Sequence, residues 1–331
     1  MAKIRDLAIS DIFKINKLIS FLDVKKSPID EFFVPYPLSL LYRLCPMRIK
    51  VIPESLVLIE QKNIKAYINI KKAHGNYKKW SISKLFMCEN GYEAGLLLVQ
   101  YIVTKLGAKG ANTFLAAVDE TQNDLIKLFV DGAGFRNCSR QQIWKCSNIQ
   151  THISDFSGLC VRPFKNSDSG AVANLYNDNI LTHFRPSLAK SKKEFQERIL
   201  HGLTDSNEFK YIVENRAEKL IIGYFTLKTS DNKNYLLDLT LNKGYEHIFE
   251  RVLNYSLKLA EKRTKDVNFY VLNKYYTQNA TTFENTLKEL GYQPTTSSVM
   301  LVKDLFRTVK DENFIKEAML YTDINSNPAF H

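Results

Sequence analysis

Two stretches of this chain place a glycine-bearing turn between an apolar strand and a helix. In the first, Leu85 to Leu106, the crossing is Asn90-Gly91-Tyr92-Glu93-Ala94-Gly95, and Leu96, Val99, Val103 and Leu106 follow at helical spacing. Such a crossing can cradle a phosphate. The first helical amides have no partner within the helix, and glycine lets a ligand approach the backbone. The candidate contacts are Gly91, Tyr92, Ala94 and Gly95. The second stretch, Leu239 to Leu259, repeats Gly-Tyr-Glu as Gly244-Tyr245-Glu246, preceded by Lys243 and followed by His247-Ile248. Just before it, Asp238 is the lone acid of an apolar run, Tyr235 to Leu241. Strand alternation sets Asp238 and Thr240 on one face and Leu237, Leu239 and Leu241 on the other. An acid so placed marks either a site or an edge position. Cys88, beside the first crossing, reads as a buried strand-end residue or a nucleophile. The six histidines show no metal-ligand spacing with the cysteines, so no metal is expected.

The elements around these residues recur. Ile4-Arg5 and Ser10-Asp11 return as Val161-Arg162 and Ser167-Asp168, offset by 157 residues. At the same offset Ala66 to Lys71 returns as Gly223 to Lys228, and Gly134-Phe135 as Gly291-Tyr292. The crossings are offset by 153, so the connections around them differ by four residues. This period is too long for a solenoid unit and predicts two homologous domains in tandem, residues 1–150 and 151–331, joined by a polar linker at 147–159. Each is read as strand, helix, two strands around a turn, a strand leading into the crossing and its helix, then strand, helix and closing strand. Ser10 or Asp11 and then Asp168 are the predicted helix caps, and a helix is expected over Ser191 to Leu203. The closing strands are read at Gln141 to Cys146 and Ser297 to Val302. The tail from Lys310 holds one short helical stretch.

Composition bounds the rest. The chain has 331 residues, with 45% hydrophobic and 12% aromatic content, enough for two cores. No apolar run reaches membrane-spanning length, and the N-terminal residues lack a signal-peptide pattern. Five cysteines without a CxxC pair suit a reduced, cytoplasmic protein. The formal charge of +11 is uneven. Residues 1–150 carry 22 Lys+Arg against 13 Asp+Glu, and the remainder 24 against 22. The basic first half suits an acidic protein partner or is an ordinary solvated lysine-rich surface. No zinc-finger spacing or basic zipper points to nucleic acid.

The order of elements, with Gly134-Phe135 and Gly291-Tyr292 each after a helix and before a last strand, resembles the GNAT superfamily of N-acetyltransferases, in two degenerate copies. The resemblance covers most of the chain. It implies an α/β fold with a mixed sheet, acetyl-coenzyme A or another acyl-coenzyme A as cosubstrate, and an amine-bearing small molecule or peptide as acceptor. The family's phosphate loop is Arg or Gln, two residues, Gly, one residue, then Gly or Ala. In the first copy Asn90 replaces the Arg or Gln and Glu93 the middle Gly, while Gly95 keeps the small residue. In the second copy Lys243 keeps a positive charge, Glu246 replaces the middle Gly, and bulky Ile248 stands at the last position. Coenzyme is therefore expected at the first crossing. The tyrosine that protonates the departing thiolate in much of the family is replaced by Val130 and Leu287. Tyr92 and Tyr245 are either substitutes or packing aromatics. Asp238 falls where the family often has a carboxylate and is the candidate general base. The aromatic-rich stretch Phe32 to Arg43 lies where the family builds its acceptor site, or packs over the sheet.

Three functions follow. The first is an acyl-coenzyme A dependent N-acyltransferase. The second is a non-catalytic tandem protein that binds a protein or small-molecule partner through the old clefts. The third is an aminoacyl transferase of the related two-domain kind, acting on a polyanion-linked substrate. If the first holds, the halves can divide the work, with coenzyme in one and Asp238 supplied by the other across a shared cleft.

Overall fold

The structure, a computed structural model, describes residues 2–8, 11, 14–15, 54–61, 63–146, 158–197, 207–229, 232–264 and 266–305. The strands of the first half are β1 (Lys3–Asp6), β2 (Glu54–Glu60), β3 (Asn63–Lys72), β4 (Lys79–Met87), β5 (Thr113–Asp119) and β6 (Arg136–Lys145). Those of the second are β7 (Leu159–Pro163), β8 (Asn207–Asn215), β9 (Leu220–Thr229), β10 (Asn234–Leu241), β11 (Asn268–Lys274) and β12 (Gln293–Asp304). Helix α1 (Tyr92–Ala108) joins β4 to β5, and α2 (Asn123–Lys127) runs on through a π-helical turn, Leu128–Gly132, toward β6. In the second half α3 (Ser169–Asn179) follows β7, α4 (Phe249–Glu261) joins β10 to β11, and α5 (Ala280–Glu289) joins β11 to β12. The stretch Phe32 to Arg43, most of the linker and the tail from Lys310 lie outside the described residues.

All twelve strands form one sheet, ordered β1-β2-β3-β4-β5-β12-β6-β11-β10-β9-β8-β7. The first five strands of each half run inward from opposite edges, and the two closing strands meet in the middle. Each closing strand lies against the other half. Strand β12 pairs with β5 as well as β6, and β6 pairs with β11. Hydrophobicity explains the exchange. Trp144 of β6 is buried among Phe225, Leu237 and Val271 of the second half. Val299 and Leu301 of β12 are buried among Ile68, Phe114 and Val99 of the first. Both closing strands also start earlier than their apolar residues predict, by five and four positions.

Side-chain alternation assigns the faces. Helix α1 packs on Ile68, Ile70, Phe114 and Ala116 through Leu98, Val99, Ile102 and Leu106. Helix α4 packs on Phe225, Leu227, Leu237 and Leu239 through Val252, Leu253 and Leu257. Helix α3 lies on the opposite face, with Tyr224, Val302 and Met300, so α1 and α4 share one side of the sheet.

The recurring Arg and Asp residues take the same geometry twice. Arg5 donates to both oxygens of Asp11 at 2.6 and 2.9 Å, and Arg162 to both of Asp168 at 2.8 and 3.0 Å. The backbone N–H of Ala8 or Lys165 adds a 2.8 Å bond to each carboxylate. Each guanidinium outweighs the cost of burial and holds its carboxyl below the usual range. Asp168 thus ties β7 to the turn before α3 and gives α3 no side-chain cap. The helix expected over Ser191 to Leu203 is a single described turn, Lys192–Phe195, in which Glu194 accepts from the Ser191 amide at 3.1 Å.

Candidate active site

Parallel strands β4 and β5 pair only from Lys79–Thr113 to Ile82–Ala116. Beyond that point they diverge, although β4 continues to Met87 and β5 to Asp119. An extra residue in β4, Ser83, starts the divergence, since Ile70 faces Ile82 while Asn69 faces Lys84. Ser83 Oγ donates to the Asn69 carbonyl at 3.2 Å, and Asn69 Nδ2 donates to Ser55 Oγ at 2.8 Å, which anchors the bulge. The gap is a cleft lined by Ser83, Lys84, Leu85, Ala117, Val118 and Phe129 among others. Alternate amides of β4 past Ile82 point toward it without a strand partner, as donors to an oxygen in the cleft.

The N-terminus of α1 opens beside this cleft. Gly91 is its N-cap and no side chain caps it. The Gly91 amide bonds Cys88 O at 2.8 Å, and Gly95 N returns to Gly91 O at 2.8 Å. The amides of Tyr92, Glu93 and Ala94, between them, have no intrahelical acceptor. The two glycines have different reasons. A Cβ on Gly91 would come within 2.9 Å of Cys88 and of Lys65 O, so the crossing itself demands glycine. A Cβ on Gly95 would overlap Met87 Sδ, so its smallness serves helix-on-strand packing. Tyr92 is exposed, with its hydroxyl near Gly132, and Glu93 is exposed in the first turn. Cys88 is half-buried at the strand end.

At the base of the cleft the spacing pointed to Val130, but Phe129 lines it. The π-helical turn inserts one residue and rotates Phe129 inward, edge-on to Phe135 at 5.0 Å. Neither residue is an acid.

The second half diverges in the same place. Strands β10 and β11 pair from Asn234–Asn268 to Asp238–Leu272 and no further. Here β10 has no bulge against β9. The space is filled from within the chain. Asn179, at the end of α3, and Asn279, before α5, both donate to the Leu241 carbonyl, Asn279 at 3.0 Å. Gln278 N bonds Asn179 O at 2.8 Å, and Ile180 bridges Thr277 across the mouth. Leu239, Leu241 and Asn273 are 5%, 0% and 1% exposed, whereas Lys84 through Met87 are all half-buried. At the second crossing Glu246 accepts from the Gly244 amide at 2.9 Å and so occupies a donor a phosphate would need. Ile248 is not the obstruction its bulk suggested. It is buried in the core under α4.

Asp238 shares its sheet face with Thr226 and Thr240. It is ion-paired to Lys274. Burial pushes its carboxyl up, but Lys274, then Lys228 and Lys190, more than offset this and hold it below the usual range. Sheet register makes Lys84 its counterpart, each facing one of the two residues, Asn69 and Thr226, that are 157 apart. The halves do not bring Asp238 to the first cleft. Strand β10 is four places from β5, roughly 19 Å at about 4.8 Å per strand. One thioester carbon cannot serve both, because reacting atoms must come within about 3.5 Å.

The whole architecture has close counterparts among solved structures. The fold is that of the GCN5-related N-acetyltransferases. One counterpart is a GCN5-related N-acetyltransferase from Sphaerobacter thermophilus, with a TM-score of 0.62 and 12% identity over 93% of this chain and 97% of that one. Another is a tandem GNAT protein from the clavulanic acid biosynthesis pathway, with a TM-score of 0.61 and 11% identity over 93% of this chain and all of the other. No protein-family model and no curated protein matches the sequence. Among the described residues no group of three or more His, Cys, Asp or Glu could hold a metal ion, and no helix is long and apolar enough to cross a membrane.

Proposed function

We propose that the protein is an N-acyltransferase that moves an acyl group from acyl-coenzyme A to an amine, with its coenzyme site in the first half. One observation carries this reading: the β4–β5 cleft is open beside an uncapped helix N-terminus, while its β10–β11 counterpart is filled. The pyrophosphate would meet the amides of Tyr92 to Gly95, with Gly91 giving the close turn and Ala94 adding no bulk. The acyl thioester would lie between β4 and β5, its developing oxygen charge facing the unpaired amides after Ser83. Glu93 opposes this anion and would have to remain turned to solvent. The repeated Arg–Asp pairs support the further proposal that the halves, residues 1–150 and 151–331, descend from one duplicated domain. Asp238 is the base only for chemistry in the second half. In the first half its counterpart is Lys84, so an amine entering there would lose its proton to water.

Calorimetric titration of the full chain with acetyl-coenzyme A tests the site. We expect one binding event, weakened at least tenfold by Ala117→Trp, which fills the cleft from an exposed position. Tight binding unaffected by that change would refute the assignment. Absence of any binding favours the non-catalytic partner-binding reading. Asp238→Asn, with coenzyme binding as the control, locates the chemistry. A steep loss of transfer puts it in the second half, and an unchanged rate leaves it in the first.

A further inference from the structure

The sheet face that carries Asp238 gathers several lysines and buried hydroxyls. Strand register puts Lys210 of β8, Thr226 and Lys228 of β9, Asp238 of β10 and Lys274 of β11 on this face. Helix α3 covers it with Tyr176, and the segment after α3 adds Lys190 and Phe195. The ammonium groups of Lys79, Lys190, Lys210, Lys228 and Lys274 stand among the carboxylates of Glu194, Glu208 and Asp238, with Glu197 near Tyr224 and Asp304 near Lys79. Most of them are committed. Lys274 holds Asp238, Lys228 holds Glu208 at 3.1 Å, and Lys79 Nζ donates to Ala189 O at 2.5 Å. Glu194 accepts from Asn76 and from the Ser191 amide.

Lys190 is different. Its ammonium lies 4.6 Å from the Tyr176 ring centre and 5.6 Å from that of Phe195, and it makes no hydrogen bond or ion pair to the described residues. Thr226 is 4% exposed, faces Asp238 directly across the strands, and its hydroxyl has no partner. The Tyr176 hydroxyl has only a 3.5 Å contact to that of Tyr276. Burial would raise the Tyr176 phenol, yet Lys190 and Lys274 outweigh it and pull it below its ordinary value, while burial of the Lys190 ammonium is outweighed by Tyr176 and Asp238, which hold it above its own. This face meets solvent at Asp238 and Lys228, whose side chains are 26% and 21% exposed. Among the described residues the Lys190 ammonium has no hydrogen-bond acceptor and the Thr226 hydroxyl no partner, so both keep hydrogen-bonding capacity for a ligand.

We infer that this face binds a small oxyanion, the carboxylate or phosphate group of a ligand, between Lys190, Lys274, Tyr176 and Thr226. Two ammonium groups and two hydroxyls supply the donors. Asp238 fixes Lys274. The site is separate from the β4–β5 cleft and does not depend on the acyl-transfer reading.

The test uses the full chain, with inorganic phosphate or succinate as probe and ionic strength held constant with chloride. Thermal unfolding and calorimetry should show saturable stabilisation by at least one probe. Lys190→Met should weaken it at least tenfold, and Tyr176→Phe, which keeps the ring and removes the hydroxyl, severalfold. Circular dichroism of the unliganded variants, with a cooperative thermal transition required of each, separates loss of the site from loss of the fold. A response to phosphate alone assigns a phosphoryl ligand, and a response to succinate alone a carboxylate. If neither probe stabilises beyond the chloride control, or if both variants respond as the parent does, this face is not an oxyanion site.

Discussion

The two clefts start from one plan and end in opposite states. In each, a parallel strand pair separates at its C-terminal end beside a Gly-Tyr-Glu crossing. In the first half a bulge at Ser83 widens the gap and the strand ends remain half-buried. In the second half there is no bulge, and two asparagines bond the strand-end carbonyl that a ligand would otherwise meet. The difference teaches that a parallel splay is costly when empty, because it leaves backbone donors and acceptors unpaired. A chain that has no ligand for such a gap must satisfy those groups itself. The β10–β11 gap therefore closes on itself, while the β4–β5 gap stays open for the ligand proposed above.

The largest expected effect concerns whether the halves can be compared in isolation. Strand β12 sits inside the first half and β6 inside the second, so residues 1–150 expressed alone should lack a cooperative thermal transition by circular dichroism. Adding residues 151–331 should restore it. A stable, cooperatively unfolding first half on its own would break the view that the cores are interdependent.

A smaller effect tests the filling of the second cleft. Asn279→Ala removes one of two donors to Leu241 O and should cost roughly 1–3 kcal/mol in denaturant unfolding. A change of comparable size that weakens coenzyme binding would mean that the second cleft takes the ligand after all.

Acid should act on both halves alike. Asp11 and Asp168 have folded-state values below their unfolded ones, so their stabilisation is fully present above the unfolded carboxylate value, about 3.9. It is lost as pH falls through the lowered folded values. The parent should therefore lose stability below about pH 4. Asp11→Asn and Asp168→Asn should each be less stable at neutral pH and lose less on acidification. Equal pH dependence of parent and variants would contradict the ion-pair origin.

The smallest effect separates the crossings. Glu93→Gln removes a negative charge from the first turn of α1 and should tighten coenzyme binding a fewfold at low salt, about 0.5–1 kcal/mol. Glu246→Gln should leave that affinity unchanged. The reverse result would move the phosphate site to the second crossing.

Much of this arrangement was legible in the residues themselves. The 157-residue echo located β3 and β9, the recurring Arg and Asp residues, though the acids read as helix caps and not as ion-pair partners, and the left-handed glycines Gly134 and Gly291, whose φ angles are 68° and 77°. These features are local, so short motifs carry them. What was not legible depends on partners distant in sequence. Trp144 reads as an apolar residue of a closing strand, but nothing nearby says that its neighbours are Phe225 and Val271. Asn179 and Asn279 look like ordinary helix-end residues until the fold brings them to Leu241. Phe129 entered the cleft through a π-helical turn, which shifts spacing by one residue without any sequence signal of its own. Ser83 likewise gave no hint of a bulge.

The exchange of closing strands also has a meaning in time. During synthesis the edge of β5 emerges early, but its neighbour β12 follows some 180 residues later, with Ser298 pairing Asp119. Until then the apolar residues that β12 will cover, Phe114 and Ala116 among them, lack part of their shelter. Folding of the first half must therefore wait for nearly the last described segment, a long-range contact of the kind that slows collapse to a single state and lengthens exposure to aggregation and to chaperones. A premature stop anywhere before Gln293 would leave two incomplete cores, so the sheet's centre acts as a checkpoint on whether the chain has been read through.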